Sequence, residues 1–225
     1  MKLLVCVSQF KNIQPALQQL EVVLATSEVH RYVKTCSLYQ HEVDILETGA
    51  SELTTANSLT GLLSQKKYHL ALLLSTGTAY KPEYIPGTVL NIVNDKPGDS
   101  GTIVDGQWLD YYDLGLMDKT SPPHIRGGFI NLNNAYMNVF APFKKVVGLT
   151  VNHFRNKHDW QLKQEKYKAD CETSNGLGFS YTCLAEKQSY YHLTFIEHNM
   201  VSGNTDQSLA LSAMNTQLIS LLQKL

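Results

Sequence analysis

Several groups of side chains in this 225-residue sequence have the types and spacing that chemistry requires. Gly98-Asp99-Ser100-Gly101 is a tetrapeptide of the kind that surrounds nucleophilic serines. Such a serine needs an activating base and an oxyanion pocket. The histidine motif that normally accompanies this tetrapeptide is missing, so the segment reads as a turn in a Gly/Asp loop. Asp95, Asp99, Asp105, Asp110, Asp113 and Asp118 crowd one region and raise the question of a hard-cation site. Calcium loops need closely alternating oxygen ligands closed by a bidentate Glu. That pattern is missing, so a solvated loop is expected and no metal. His192, Thr194, Ile196 and His198 alternate along a strand, which places both histidines on one sheet face. Six strand residues span roughly 20 Å, too far for one ion. More promising is the end of that strand, Glu197-His198-Asn199, because ligands of α/β sheets gather at strand ends. The turn Gly49–Ser51 before a helix can receive an anion through helix amides, although a plain Ser cap explains it as well.

Composition narrows the classes. Lys plus Arg number 19 against 20 Asp plus Glu, a net charge of −1, and no stretch is strongly basic. A nucleic-acid partner is therefore not expected. Neither a P-loop nor a dinucleotide fingerprint occurs, and no cofactor is implied. Apolar runs such as Leu70–Leu74 are far shorter than the ~20 residues that span a bilayer. The N-terminal apolar run is likewise too short for a signal peptide. Cys6, Cys36, Cys171 and Cys183 form no C-x-x-C pair and read as reduced thiols of a cytoplasmic protein with no membrane partner.

The elements that must position these residues follow from periodicity. Strands are expected at residues 2–7, 28–38, 42–47, 69–75, 88–93, 145–151 and 192–196. Helices are expected at 14–25, at 51–64 with Ser51 as cap, at 176–186, and at 206–225 with Asp206 as cap. Leu53, Ala56, Leu59 and Leu63 mark the core face of the second helix. Leu211, Met214, Leu218 and Leu222 mark that of the last. Thr76–Tyr80 reads as a turn, Asp95–Gly106 as a loop, and 107–143 as irregular. Alternating strands and helices favour an α/β layered fold with a mixed sheet, in one domain over 1–225. Gly176 and Gly178 are expected to permit close helix packing.

Several segments, taken in order, resemble the nucleoside phosphorylase/nucleosidase superfamily. They are KLLVCV at 2–7, ETGASELTTANSLTGLLSQKKYHLALLLSTGTAY at 47–80 and IPGTVLNIVNDKPGDSGTIVDG at 85–106. GLTVN at 148–152, YKADCETSNGLGFSYTCL at 167–184, FIEHNMV at 195–201 and the final helix complete the series. Within the superfamily the likeness is greatest to futalosine hydrolase and to methylthioadenosine/S-adenosylhomocysteine nucleosidase. The resemblance implies a three-layer α/β sandwich around a mixed central β-sheet, a homodimer, and a purine-type nucleoside as ligand. Such enzymes cleave an N-glycosidic bond. Departure of the base leaves positive charge on the ribosyl ring, which acceptors around the sugar must stabilise.

Carried over residue by residue, the resemblance exposes substitutions. The family's early acidic signature falls on Gln9-Phe10-Lys11-Asn12, which has no carboxylate. Its Glu-x-Met-Glu-Gly-Ala falls on Glu172 to Leu177, so the Met-Glu pair that holds the ribose hydroxyls becomes Ser174-Asn175. Its late Asp or Asn falls on Asn199, which can hold a base but cannot protonate it. Phe154 follows the block in which relatives place an aromatic residue near the ligand. Tyr80, at the Gly77–Tyr80 turn, can reach the same pocket or merely cover the sheet edge. Two readings follow. One is a nucleoside-binding relative with weakened or lost hydrolysis, a pseudoenzyme. The other is an active nucleosidase that uses Glu172, Glu197 or His198.

Overall fold

The computed structural model describes residues 1–27, 32–133, 135–152 and 159–225. In chain order its elements are β1 (Lys2–Val7), α1 (Gln14–Gln19), β2 (Ala25–Thr26), β3 (Val33–Leu38), β4 (His41–Glu47), α2 (Glu52–Leu63), β5 (Leu70–Ala79) and β6 (Val89–Pro97). They continue with β7 (Gly101–Val104), β8 (Gln107–Asp110), β9 (Phe129–Ile130), α3 (Met137–Phe140), β10 (Lys144–Thr150), α4 (Trp160–Tyr167), β11 (Cys171–Thr173), α5 (Gly176–Ala185), β12 (Tyr190–Asn199) and α6 (Gln207–Lys224).

Apolar side chains on both faces of β1 and β5 dictate a sheet covered on each side. Leu3, Val5, Leu72, Leu74, Leu193 and Phe195 pack against Met214, Leu218 and Leu222 of α6. On the other face Leu4, Cys6, Ala71 and Leu73 meet Leu59 and Leu62 of α2 and Phe179 of α5. The result is the expected three-layer α/β sandwich with a mixed central sheet. Its order is β11-β10-β6-β12-β5-β1-β4-β3-β2, with β9 attached to β6. A further antiparallel pairing of β11 with β5 (Glu172 opposite Thr78) closes five strands into a ring. The strands from β1 to β2 extend from that ring as an open wing.

Closure explains where the elements depart from the sequence reading. Thr76–Ala79 is not a turn: β5 continues through it, wedged between β12 and β11. A Cβ on Gly77 would lie 2.6 Å from Thr194 Oγ1 and 2.7 Å from the Glu172 carbonyl. Only glycine lets the three strands meet there. The first helix ends at Gln19 rather than at residue 25. Ser51 does cap α2, accepting from Thr54 N at 3.2 Å, and Asp206 caps α6, accepting from Leu209 N at 2.9 Å. The core face of α2, however, is Thr55, Ser58, Leu59, Leu62 and Leu63, leaving Leu53 exposed at 77%. Residues 28–31 of the expected second strand lie outside the described residues.

The acidic region is a solvated loop only in part: Asp105 and Asp118 are exposed, but the rest is structured. Asp95 belongs to β6, and 101–110 form the β7–β8 hairpin. Asp99 pairs with Lys163 at 2.9 Å, Asp110 with Lys166 at 3.1 Å, and Asp113 with Lys166 and Lys119. Tyr167 Oη donates to Asp110 and accepts from Trp108 Nε1, so the hairpin is bolted to α4. Among the described residues no His/Cys/Asp/Glu group can hold a metal ion. No described helix is long and apolar enough to cross a membrane. All four cysteines are buried free thiols, and burial pushes the thiols of Cys6, Cys171 and Cys183 well up and that of Cys36 to about 11.

Candidate active site

Where β1 and β12 end beside the last residues of β5, a cleft of ≈ 270 Å³ opens. Ser8, Gln9 and Asn12 form one wall, Thr76, Gly77 and Thr78 the floor, and Glu172, Thr173 and Ser174 the opposite wall. Ala50, Glu197 and Gln207 close its rim. Larger recesses exist, among them one of ≈ 480 Å³ between the β7–β8 hairpin and α4. The strand-end cleft, though, is lined by two glutamates, one on each of the strands that flank the end of β5.

Register decides why those glutamates meet. Thr78 of β5 pairs with Glu172 on one side and with His198 on the other. Strands lie about 4.8 Å apart, so the backbones carrying the two acids straddle β5 at about 10 Å. A bulge between Ile196 and His198 inserts Glu197 as an extra residue in β12. It breaks the alternation expected along that strand and puts Glu197 on the rim.

Glu172 is anchored in the wall of the cleft. It is buried, and Oε2 accepts a 2.5 Å hydrogen bond from Tyr80 Oη. Tyr80 is itself buried and stacks on Trp160, with ring centroids 5.6 Å apart. Burial, and then the charge of Glu172, hold the Tyr80 phenol far above its ordinary range. The hydroxyl therefore donates at any physiological pH, and Glu172 presents its carboxylate as an acceptor. Ser174 lines the cleft beside it.

The remaining candidates occupy different positions. Asn175 lies beneath the cleft, buried, with Nδ2 donating to Ser8 Oγ at 3.4 Å. Its Oδ1 has no hydrogen-bond partner among the described residues. Asn199 is completely buried: Nδ2 donates to the carbonyls of Lys81 and Tyr84, and Oδ1 accepts from Val201 N and Ser202 N. That side chain clasps two loops together. His198 turns to Thr205, Nδ1 to Oγ1 at 2.6 Å. Phe154 lies outside the described residues. Sequence reasoning passed over Ser8, Thr76, Thr78 and Gln207. Their only signal was position, at a strand end or just after a helix cap.

It also passed over a second polar constellation. Ser75 Oγ lies 2.8 Å from His192 Nε2, and His192 Nδ1 lies 3.5 Å from Asp95 Oδ2. Thr150 Oγ1 donates to Asp95 at 3.0 Å and accepts from Leu177 N at 2.7 Å. The order serine–histidine–aspartate is that of a hydrolytic triad. Yet the three residues are at most 2% exposed, under the first turn of α5. A Cβ on Gly176 would fall 2.2 Å from Asp95 Oδ2 and 2.6 Å from His192 Cε1. No substrate reaches them. Gly178 is equally close to α2, where a Cβ would fall 2.1 Å from the Glu52 carbonyl. Both glycines thus permit the close packing expected of them. Gly98–Gly101 carries no nucleophile either: Ser100 is exposed on a bend, its carbonyl accepting from Tyr111 N.

The closed ring, the wing of the sheet and the strand-end cleft define the nucleoside phosphorylase/nucleosidase fold. In particular, the chain is similar to the Campylobacter jejuni 5'-methylthioadenosine/S-adenosyl homocysteine nucleosidase, with a TM-score of 0.78 at 15% identity over 100% of both chains. It is similar also to a futalosine hydrolase mutant of Helicobacter pylori, with a TM-score of 0.77 at 13% identity over 100% of both. The Streptococcus pneumoniae nucleosidase, solved with the transition-state inhibitor MT-ImmA, matches with a TM-score of 0.78 at 12% identity over 99% of both. At such identities the likeness is one of fold. No family model matches the chain, and no curated protein matches it by sequence.

Proposed function

We propose that this chain is a divergent nucleosidase-family protein that binds a purine-type nucleoside in the strand-end cleft, with N-glycosidic hydrolysis weakened or lost. One observation carries the reading. The wall that faces Glu172 across the floor is Ser8, Gln9 and Asn12, none of which takes up a proton at neutral pH. A hydrolytic nucleosidase needs a carboxylate to activate water, and general acid–base assistance is typically worth about 10²–10⁴-fold. In the reading proposed here Glu172, Ser174 and Gly77 border the nucleoside, Tyr80 holds Glu172, and Asn175 steadies the wall through Ser8. Phe154, His198 and Asn199 belong to the ligand environment only through the family resemblance. A cytoplasmic homodimer is part of the same proposal.

A second reading has its own support. Glu172 and Glu197 both line the cleft, so an active nucleosidase working through these acids fits the same space. The two are separated by offering futalosine, methylthioadenosine and inosine to the purified protein. Binding without turnover gives a thermal shift and no free base. At a ligand concentration of 100 times Kd the stabilisation is about 2.7 kcal/mol. Release of base that disappears in Glu172→Gln establishes the second reading instead. No shift and no release across the three nucleosides overturns both.

A further inference from the structure

The neutral wall of the cleft is one short stretch of chain whose own sequence ties it poorly. Ser8, Gln9 and Asn12 stand where β1 passes into a 3₁₀ turn at Phe10–Ile13 and then into α1. The first amides of a helix have no partner within it and are normally taken by the side chain of the residue before it. Here neither start caps itself. Gln9, before the turn, makes no side-chain cap, and Ile13, before α1, has no polar side chain to offer. Pro15 removes one of the α1 amides, which leaves that of Ala16 in the place a cap would serve.

Two side chains from distant parts of the chain serve instead. Parallel pairing of β1 with β4 sets Val7 opposite Glu47, and Glu47 Oε2 accepts from Phe10 N at 2.8 Å. Asn215 of α6 accepts from Ala16 N at 2.8 Å and donates to the Asn12 carbonyl at 2.9 Å. Its Nδ2 donates also to the Leu211 carbonyl at 2.7 Å. Asn215 is buried with Met214 and Leu218 on the core face of α6. An amide buried there is costly unless it is matched, and both its ends are. Neither Glu47 nor Asn215 lines the cleft. Both hold backbone groups of the segment that does, on either side of the residues it presents.

We propose, on the nucleoside-binding reading above, that Glu47 and Asn215 are positioning residues for the ligand of the cleft. They cap the wall segment from a distance and hold Gln9 and Asn12 in place before a nucleoside arrives. A wall ordered in advance spares the ligand the cost of ordering it. Loss of a cap therefore shows as weaker binding by a chain that is still folded. The test is calorimetric titration of the full chain with futalosine, methylthioadenosine and inosine, at a temperature where each variant is folded by circular dichroism. Glu47→Ala should weaken the nucleoside that the wild type binds by about tenfold, equivalent to about 1.4 kcal/mol. Glu47→Gln keeps an oxygen for Phe10 N and should restore affinity to within about threefold of wild type. Asn215→Ala should weaken the same nucleoside about tenfold. Hydrogen exchange separates positioning from general destabilisation: in Glu47→Ala the Phe10 amide should quicken more than the β5 amides, which report global opening. Wild-type affinity in Glu47→Ala overturns the proposal, as does a loss in Glu47→Gln as large as that in Glu47→Ala. If Asn215→Ala does not fold, the two Glu47 variants decide. A wild type that binds none of the three nucleosides overturns the reading and the proposal together, whereas binding indifferent to the substitutions overturns the proposal alone.

Discussion

Two polar constellations meet on β5, and their fates differ. Ser75 turns inward and joins His192 and Asp95 in a chain closed by Thr150 and the first turn of α5. One to three residues further on, Thr76, Gly77 and Thr78 floor an open cleft that holds Glu172 and Glu197. The inner set has the order and nearly the spacing of a catalytic triad, yet Gly176 seats a helix directly over it. The outer set has no such order but meets solvent-filled space. Geometry among side chains therefore does not make a site unless a reactant can reach it. The inner network ties four strands to α5. The cleft stands on that scaffold and opens to space that a small molecule can enter.

The comparison can be broken most forcefully from the inside. His192→Leu strands the buried Ser75 hydroxyl and leaves Asp95 without the imidazole beside it; at about 1–3 kcal/mol for each buried polar group so left, and more for a charged one, it should cost about 3–5 kcal/mol by urea denaturation. If the loss is under 1 kcal/mol, the inner set is no scaffold. Gly176→Ala drives a methyl against Asp95, His192 and Thr173, with all three contacts under 3 Å. Near the upper end of overpacking effects, about 3 kcal/mol is expected, in the same assay. Tyr80→Phe removes only the donor to Glu172 and should cost about 1.5 kcal/mol, the lower end for a bond to a charged group. Its pH dependence has a definite sign. The folded pKa of Tyr80 is raised, so its contribution is complete below the unfolded value near 10 and declines as pH climbs beyond it. The stability difference between wild type and Tyr80→Phe should accordingly be flat from pH 6 to 9 and shrink above about pH 10. A difference that grows in that alkaline range would contradict the assignment of Tyr80 as donor.

Much of the frame was legible in the residues. Continuous apolar runs in β1 and β5 announced covered strands, Ser51 and Asp206 announced helix starts, and the spacing of Met214, Leu218 and Leu222 announced the buried face of α6. Errors clustered where long-range pairing overrides local signals. Thr76–Ala79 looks like a turn because it is small and polar, but pairing with β11 and β12 holds it extended. Leu53 looks like a core residue, but the seating of α5 on α2 through Gly178 leaves it outside. Asp99, Asp110 and Asp113 look solvated because the lysines of α4 that hold them lie some 50 residues or more along the chain.

The candidate site divides along the same line. Residue types alone determined that positions 9–12 carry no carboxylate and that position 172 carries one, since no folding event turns Gln9 or Asn12 into a base. They also determined the alternation of strands and helices that produces layers, because periodicity is a local property of the chain. Only the tertiary structure decided that Asn199 clasps loops, that Glu197 reaches the rim through a bulge, and that Ser75, His192 and Asp95 are sealed away. Register and helix seating are set by contacts among residues distant in sequence, and it is these that decide which polar groups solvent can reach.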